Sequence, residues 1–271
     1  MTKIVMSIAG LDPSGGAGTI ADVKTIAAFG CFPAAGITSL TFQNTTGVYG
    51  VENQSGETVG RQIAPIIADY DIAAVKTGML PSAEVIIETA RQIKEAKLTN
   101  VVVDPVVRST SGFDLIDDEA LNSLIEHLFP LADVITPNLA ETERMAKMTV
   151  RSEADVHRAA KTLQDLGARN VLIKGGHFQL KPGVATDTLF IGDTVETFDA
   201  EHIETTATHG TGCTLAAAIA ANLALGQSLS KAVDIAKRFV HEAIRTSPQI
   251  GKGNSPINVT YYGATGKNTG D

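Results

Sequence analysis

Short apolar runs alternate along the chain with longer segments of helical spacing, and this alternation restricts the possible folds more than any other feature. Ile4–Ala9 reads as a buried strand, and a helix follows from the glycine-rich loop to about Phe29. Ala34–Thr41, Ala73–Thr77, Val101–Val103, Val134–Thr136 and Val171–Ile173 read as further strands. Between them lie helical patterns over Thr58–Tyr70, Ser82–Ala96, Asp117–Leu128 and Ser152–Leu166. Ser82 is an N-cap candidate, and Ser152 with Asp155 has the outline of a capping box. Ala185–Phe198 alternates around Gly192-Asp193, a hairpin signal. Two helices close the pattern, about Thr211–Leu225 and Ser228–Thr246. Repeated strand–helix units demand a mostly parallel sheet with helices on both faces. The Ala-rich stretch 215–224 suits close helix–sheet packing.

With no internal repeat, linker or shift in composition, one domain over residues 1–263 is expected, followed by a polar, disordered tail over 264–271. No run approaches the ~18 apolar residues of a membrane span. The apolar run after Met1-Thr2-Lys3 is too short for a secretory signal. Two cysteines, Cys31 and Cys213, form no disulfide framework. A cytoplasmic protein is therefore expected. With 30 acidic against 22 basic side chains, the net charge is −8, which argues against a nucleic-acid partner. It leaves a small anionic ligand open, because a few local donors can hold one phosphate.

Ligands of such sheets bind beyond the carboxyl ends of the strands. The polar residues there are Gly10 and Asp12, Gln43-Asn44, Lys76-Thr77-Gly78, Asp104, Thr136 with Asn138, and Lys174-Gly175-Gly176. The loop Gly10–Gly18 does not fit the dinucleotide-binding spacing, and no acidic residue about 20 positions on serves a ribose, so a nicotinamide oxidoreductase is disfavoured. No Gly-Lys pair completes a P-loop. The second glycine loop, His209-Gly210-Thr211-Gly212-Cys213-Thr214, opens a helix. Backbone N–H groups at such a start form an anion site suited to phosphoryl charge. Cys213 sits in the first turn, where the helix dipole is expected to lower its thiol pKa. A capped helix with an inert thiol is the plainer alternative.

Eight segments together carry a resemblance: Ile8–Gly18, Ala21–Lys24, Gln43–Thr45, Lys76–Met79, Val103–Val106, Thr136–Asn138 with Glu141, Lys174–His177 and His209–Thr214. In this order they resemble the hydroxymethylpyrimidine/phosphomethylpyrimidine kinases of thiamine biosynthesis, a branch of the ribokinase-like superfamily, from about residue 3 to 262. The resemblance implies a three-layer α/β/α sandwich with a mostly parallel central sheet. It implies ATP and Mg²⁺ as cofactors, hydroxymethylpyrimidine and its phosphate as small-molecule substrates, and a homodimer. Gly210, Thr211 and Gly212 would form the anion hole and Cys213 the catalytic base. Asp22 and Gln43 would meet the pyrimidine edge, with Gly10, Met79 and Val106 lining the ring pocket. Lys174, Lys237 and Asn138 would serve the nucleotide, and Asp104 and Glu141 the metal. Leu11, the loop 106–114 with Arg108 and Phe113, and the C-terminal 253–259 depart from the family pattern. Pyridoxal kinase of the same branch is the nearest rival, since pyridoxal also offers a ring and a hydroxymethyl group. A non-catalytic sensor is the remote one.

Overall fold

A computed structural model describes residues 1–107, 115–175 and 182–261. The expectations for Arg108, Phe113, Gly176, His177 and the tail 264–271 lie outside the described residues. One nine-stranded sheet runs through the molecule: β1 (Ile4–Leu11), β2 (Phe32–Asn44), β3 (Gly47–Asn53), β4 (Ile72–Thr77), β5 (Val101–Val103), β6 (Val134–Ile135), β7 (Asn170–Ile173), β8 (Val184–Ile191) and β9 (Thr194–Glu201). Their spatial order is β3-β2-β1-β4-β5-β6-β7-β8-β9. The six strands from β2 to β7 are parallel, and β3, β8 and β9 add antiparallel edges.

The side-chain period of two sorts each strand onto two cores. Met6, Ile8, Val75, Val103, Ile135 and Val171 face one side. There they meet α2 (Gly56–Asp69), α3 (Ala83–Glu95), α4 (Asp118–Ser123), α5 (Leu139–Ala146) and α6 (Glu153–Asp165). Val5, Ala74, Val102, Val134 and Leu172 face the other side and meet α1 (Gly18–Ala28), α7 (Thr211–Ala224) and α8 (Leu229–Arg245). From Leu215 to Ala224 every residue of α7 is buried, so its small side chains let it lie flat between the sheet and α8. Among the described residues no helix is long and apolar enough to cross a membrane.

Several elements differ from the sequence reading. β2 extends to Asn44 and pairs with β3, which was not anticipated, so Gln43 and Asn44 belong to a strand end rather than a free loop tip. β3 carries two glycines and mostly exposed or half-buried side chains, so it has little periodic signal. The helix expected over 117–128 is α-helical only to Ser123; Leu124–Leu128 widens into a π-helical turn and Phe129–Leu131 tightens to 3₁₀. Pro130 lacks an N–H and ends the regular ladder, while Leu124, Leu128 and Phe129 all reach the core. The 192–193 turn behaves as expected: Ile191 pairs with Thr194, and Gly192 takes φ +55°. Both cysteines are free.

The strand order reverses at β1, between β2 and β4. That switch point opens a crevice at the carboxyl ends of the strands, where Gly10, Gly78 and Asp104 emerge.

Candidate active site

Two glycine loops meet at this crevice. Gly210 takes φ +84°, and a Cβ there would overlap the carbonyl oxygen of Gly16. Only glycine allows the second loop to lie against the first. Asp12 ties them together. Its carboxylate accepts from the Ser14 N–H (2.8 Å), the Ser14 hydroxyl (2.9 Å) and the Ala17 N–H (2.8 Å), and meets His209 Nε2 at 2.7 Å. Burial works against its charge, but bonds from His209, Gln43 and Ser14 outweigh it and hold the carboxyl well below the usual range. An ionised carboxylate only accepts, so His209 must carry its proton on Nε2.

Helix starts are treated unequally. Ser55, Ser82, Asp117, Asn138, Ser152 and Ser228 cap α2, α3, α4, α5, α6 and α8 with their side chains. Like α1, α7 starts with no side-chain cap and no acidic residue in its first turn; its N-cap is Gly210. Its leading N–H groups are left to face an anion. What stands opposite them is charged. A Cβ added at Gly212 would lie 3.2 Å from Lys174 Nζ and 3.8 Å from Asp104 Oδ2. Lys174 Nζ donates to Asp104 Oδ1 at 2.9 Å and lies 4.0 Å from Glu141 Oε2. Thr136 Oγ1 also donates to Asp104 Oδ1, at 3.2 Å. Burial opposes the Lys174 charge, yet Asp104 and Glu141 hold its pKa above the usual value.

Asn138 and Glu141 form a reciprocal capping box on α5: Asn138 Oδ1 accepts from the Glu141 N–H (2.9 Å), and Glu141 Oε2 from the Asn138 N–H (2.7 Å). Helix geometry alone explains that pair. It does not explain why Glu141 is 5% exposed and beside a second acid. Burial first, and then Asp104 against the pull of Lys174, push its carboxyl up to about 7. Two carboxylates thus crowd around one ammonium. Among the described residues no three acidic, His or Cys side chains cluster for a metal. A pair of carboxylates facing a phosphate site nonetheless fits Mg²⁺, which keeps waters and takes one or two carboxylates beside substrate phosphates.

Two of the ring-pocket candidates, Gly10 and Met79, also meet. A Cβ at Gly10 would lie 3.1 Å from Met79 Sδ and 3.7 Å from Ser39 Cβ, so glycine leaves the space beside Met79 open. Val106 is half-buried after β5.

The sequence profile of the family described as phosphomethylpyrimidine kinase matches residues 12–258. The chain belongs to the phosphomethylpyrimidine kinase family. It is 46% identical to a hydroxymethylpyrimidine/phosphomethylpyrimidine kinase of Rhizobium meliloti, over 95% of this chain and 97% of that protein. It is 43% identical to the thiamine biosynthesis bifunctional protein ThiED of Geobacter sulfurreducens, over 94% of this chain. There it spans 51%, about half, of the relative's length. Among solved structures it resembles an ADP complex of Bacillus subtilis pyridoxal kinase, with 36% identity, a TM-score of 0.87 and coverage of 96% and 98% of the two chains. The fold is thus the ribokinase-like α/β/α sandwich that the motifs implied.

Some residues sit differently from expectation. Cys213 is the main correction. Its thiol is not lowered by the helix dipole; burial pushes it up to about 11, with Lys76 pulling it down and Asp104 and Asp22 adding to the rise. Loss of hydration outweighs a dipole that acts through one turn. Asp22 does not stand on the crevice surface: it has no exposure, and its carboxylate is taken by Lys76 and Ser7. Lys237, expected at the nucleotide, is largely buried and pairs with Asp187 at 2.9 Å. Asp187 in turn accepts from the Gly175 N–H, which ties α8 to the turn after Lys174. The sequence reading gave no role to Lys76. Its signal was a lysine inside the buried run Ile72–Thr77, where an unpaired charge cannot remain.

Proposed function

We propose that this chain uses ATP to phosphorylate 4-amino-5-hydroxymethyl-2-methylpyrimidine and then phosphorylates the resulting monophosphate. The observation that carries this reading is the Lys174–Asp104–Glu141 cluster facing the uncapped N-terminus of α7 across Gly212. Positive charge and free N–H groups converge there on one small volume, as transfer of a phosphoryl group requires.

In this reading the N–H groups of Gly212 and Cys213 hold the transferring phosphoryl oxygens, with Gly210 and Thr211 shaping the loop. Lys174 neutralises charge on the same group. Mg²⁺ bound near Asp104 and Glu141 would offset the charge of the nucleotide phosphates. Lys237, fixed by Asp187, and Asn138 line the nucleotide side. The pyrimidine lies against Met79 and Val106 over Gly10, with Gln43 offering both donor and acceptor to its polar edge. Asp22 acts from behind that edge. Cys213 takes the hydroxyl proton in the first transfer. The thiol is sparsely ionised at neutral pH but strongly basic once ionised. The second transfer needs no base, because the attacking phosphate oxygen is already anionic, and positioning carries it.

A pyridoxal kinase activity is the second reading, favoured by the likeness to the Bacillus subtilis pyridoxal kinase. Incubation with ATP and Mg²⁺ plus hydroxymethylpyrimidine, its monophosphate or pyridoxal, with products identified by mass, separates the two. Pyrimidine diphosphate is the expected product. Turnover of pyridoxal alone would favour the second reading, and no turnover would favour a sensor. A cytoplasmic homodimer belongs to the same proposal, and light scattering of the purified chain tests the assembly.

A further inference from the structure

Strand β4 carries a charge that the reaction above does not use. Lys76 and Asp22 have no exposed surface. The ammonium meets both carboxylate oxygens, at 3.0 and 2.8 Å, and the Ser7 hydroxyl donates to Asp22 Oδ2 at 2.6 Å. Ser7 and Lys76 are register partners on β1 and β4, beside the switch point, and Asp22 reaches them from α1. Two charges this deep have lost their hydration, and packed hydrocarbon of equal volume would serve the fold as well or better. Stability alone therefore gives no reason for the pair.

Its location gives one. Helix α7 packs on β1, β4 and α1, so its first turn covers this corner of the sheet. Cys213 lies in that turn, and its thiol meets the backbone of Gly18 at the start of α1. Asp22 is one turn further along α1, and helix side chains lean toward the N-terminus, which brings its carboxylate back under Gly18. A Cβ at Gly78 would lie 2.7 Å from Lys76 Nζ, so the ammonium sits at the carboxyl end of β4, on the ligand side of the sheet.

We propose that Lys76, anchored by Asp22 and Ser7, is a positioning residue that keeps a fixed positive charge beneath the Cys213 thiol and steadies the thiolate that takes the substrate proton. The proposal rests on the reading of Cys213 as the base. In that step the hydroxyl proton passes to Sγ. The freed oxygen bonds to the γ-phosphorus, and the bridging P–O electrons leave with ADP. The charges that bear on Cys213 are Lys76 from β4, Lys174 from the end of β7, Asp22 from α1 and Asp104 from the end of β5; of these Lys76 and Lys174 favour the ionised form, and Lys76 is the one the reaction above does not use.

The test replaces the pair by neutral groups of similar size, Lys76→Met with Asp22→Asn, so that no buried charge is orphaned. Alkylation by iodoacetamide at pH 8.5, read by mass on the Cys213 peptide, follows the thiolate fraction. The expected result is a folded protein whose Cys213 reacts about two- to threefold more slowly, since Lys76 bears on the thiol more strongly than Asp22 does, but loss of the Asp22 charge offsets part of the loss of the ammonium. The kcat of the first phosphorylation should fall with it, while KM for ATP stays within about twofold, because the pair touches no nucleotide group. Should that variant not fold, Lys76→Gln with Asp22→Asn retains a hydrogen-bonded pair and gives the same comparison. An unchanged alkylation rate would overturn the proposal and leave the pair as packing. Alkylation needs no substrate, so a failure of the kinase reading would appear separately, as absent turnover in the unmodified protein.

Discussion

Gly212→Ala separates stability from catalysis, because the two should move in opposite directions. Gly212 lies in the first turn of α7 without positive φ, and alanine is a better helix former by about 0.8–1.0 kcal/mol. The added Cβ meets only the tip of Lys174, at 3.2 Å, and Asp104 Oδ2, at 3.8 Å. Lys174 Nζ is the far end of a flexible side chain and can yield by a few tenths of an ångström. The net change in folding free energy should therefore lie between zero and about +1 kcal/mol, up to ~2–4 °C in Tm for a chain of this size. The same methyl group would stand between the leading N–H groups of α7 and Lys174, where the transferring phosphoryl belongs. Loss of one such donor costs about 10²–10³ in kcat, so a drop of at least about 100-fold is expected. Differential scanning calorimetry and a coupled ADP-release assay on one preparation give both numbers. Wild-type kcat in a folded Gly212→Ala protein would refute the anion-hole assignment. A Tm loss of several degrees would refute the claim that this position has room.

Gly210→Ala should fail in both respects: positive φ plus overlap with the Gly16 carbonyl is expected to cost about 2 kcal/mol or more, visible as an early urea midpoint. Cys213→Ala should damage the first phosphorylation far more than the second in single-turnover assays, and equal losses would remove the thiol from its assigned role. With the thiol at about 11, the first step in the unaltered protein should also quicken as pH rises from 7 to 9, while the second stays flat. Glu141→Gln should alter the pH dependence of stability. The folded carboxyl is raised from 4.5 to about 7, so the native state holds a proton that the unfolded chain releases between those values. Stability from this group is present below about pH 4.5 and is lost as pH rises through 7. The variant should therefore match the wild type near pH 4 and exceed it by up to about 3 kcal/mol at pH 8, as urea melts at the two pH values would show.

The strand–helix alternation and the order of the polar segments sufficed for the parallel sheet, for candidate residues at the carboxyl ends of its strands and for the family, because apolar period and glycine spacing are local properties; the switch point itself came only with the strand order. Gly10, Asp104, Lys174 and the 210–213 loop were legible for that reason: each follows an apolar run or opens a helix. The edge strand β3 was not legible, since its pairing with β2 supplies what its sequence lacks. Neither was the condition of the charged groups. Asn138 and Glu141 are a capping box in the sequence as much as in the fold, and only burial in the fold, with Asp104 brought beside it from another strand and against the pull of Lys174, makes Glu141 a reluctant acid. Cys213 shows the same limit most clearly. Its place in a helix's first turn is written in the chain and suggests a lowered pKa, but the residue is half-buried in the fold, and the hydration its thiol loses there outweighs the dipole and reverses the sign. Residue types and spacing determined which groups could meet; desolvation and the charges brought from distant segments decided what each group became once they met.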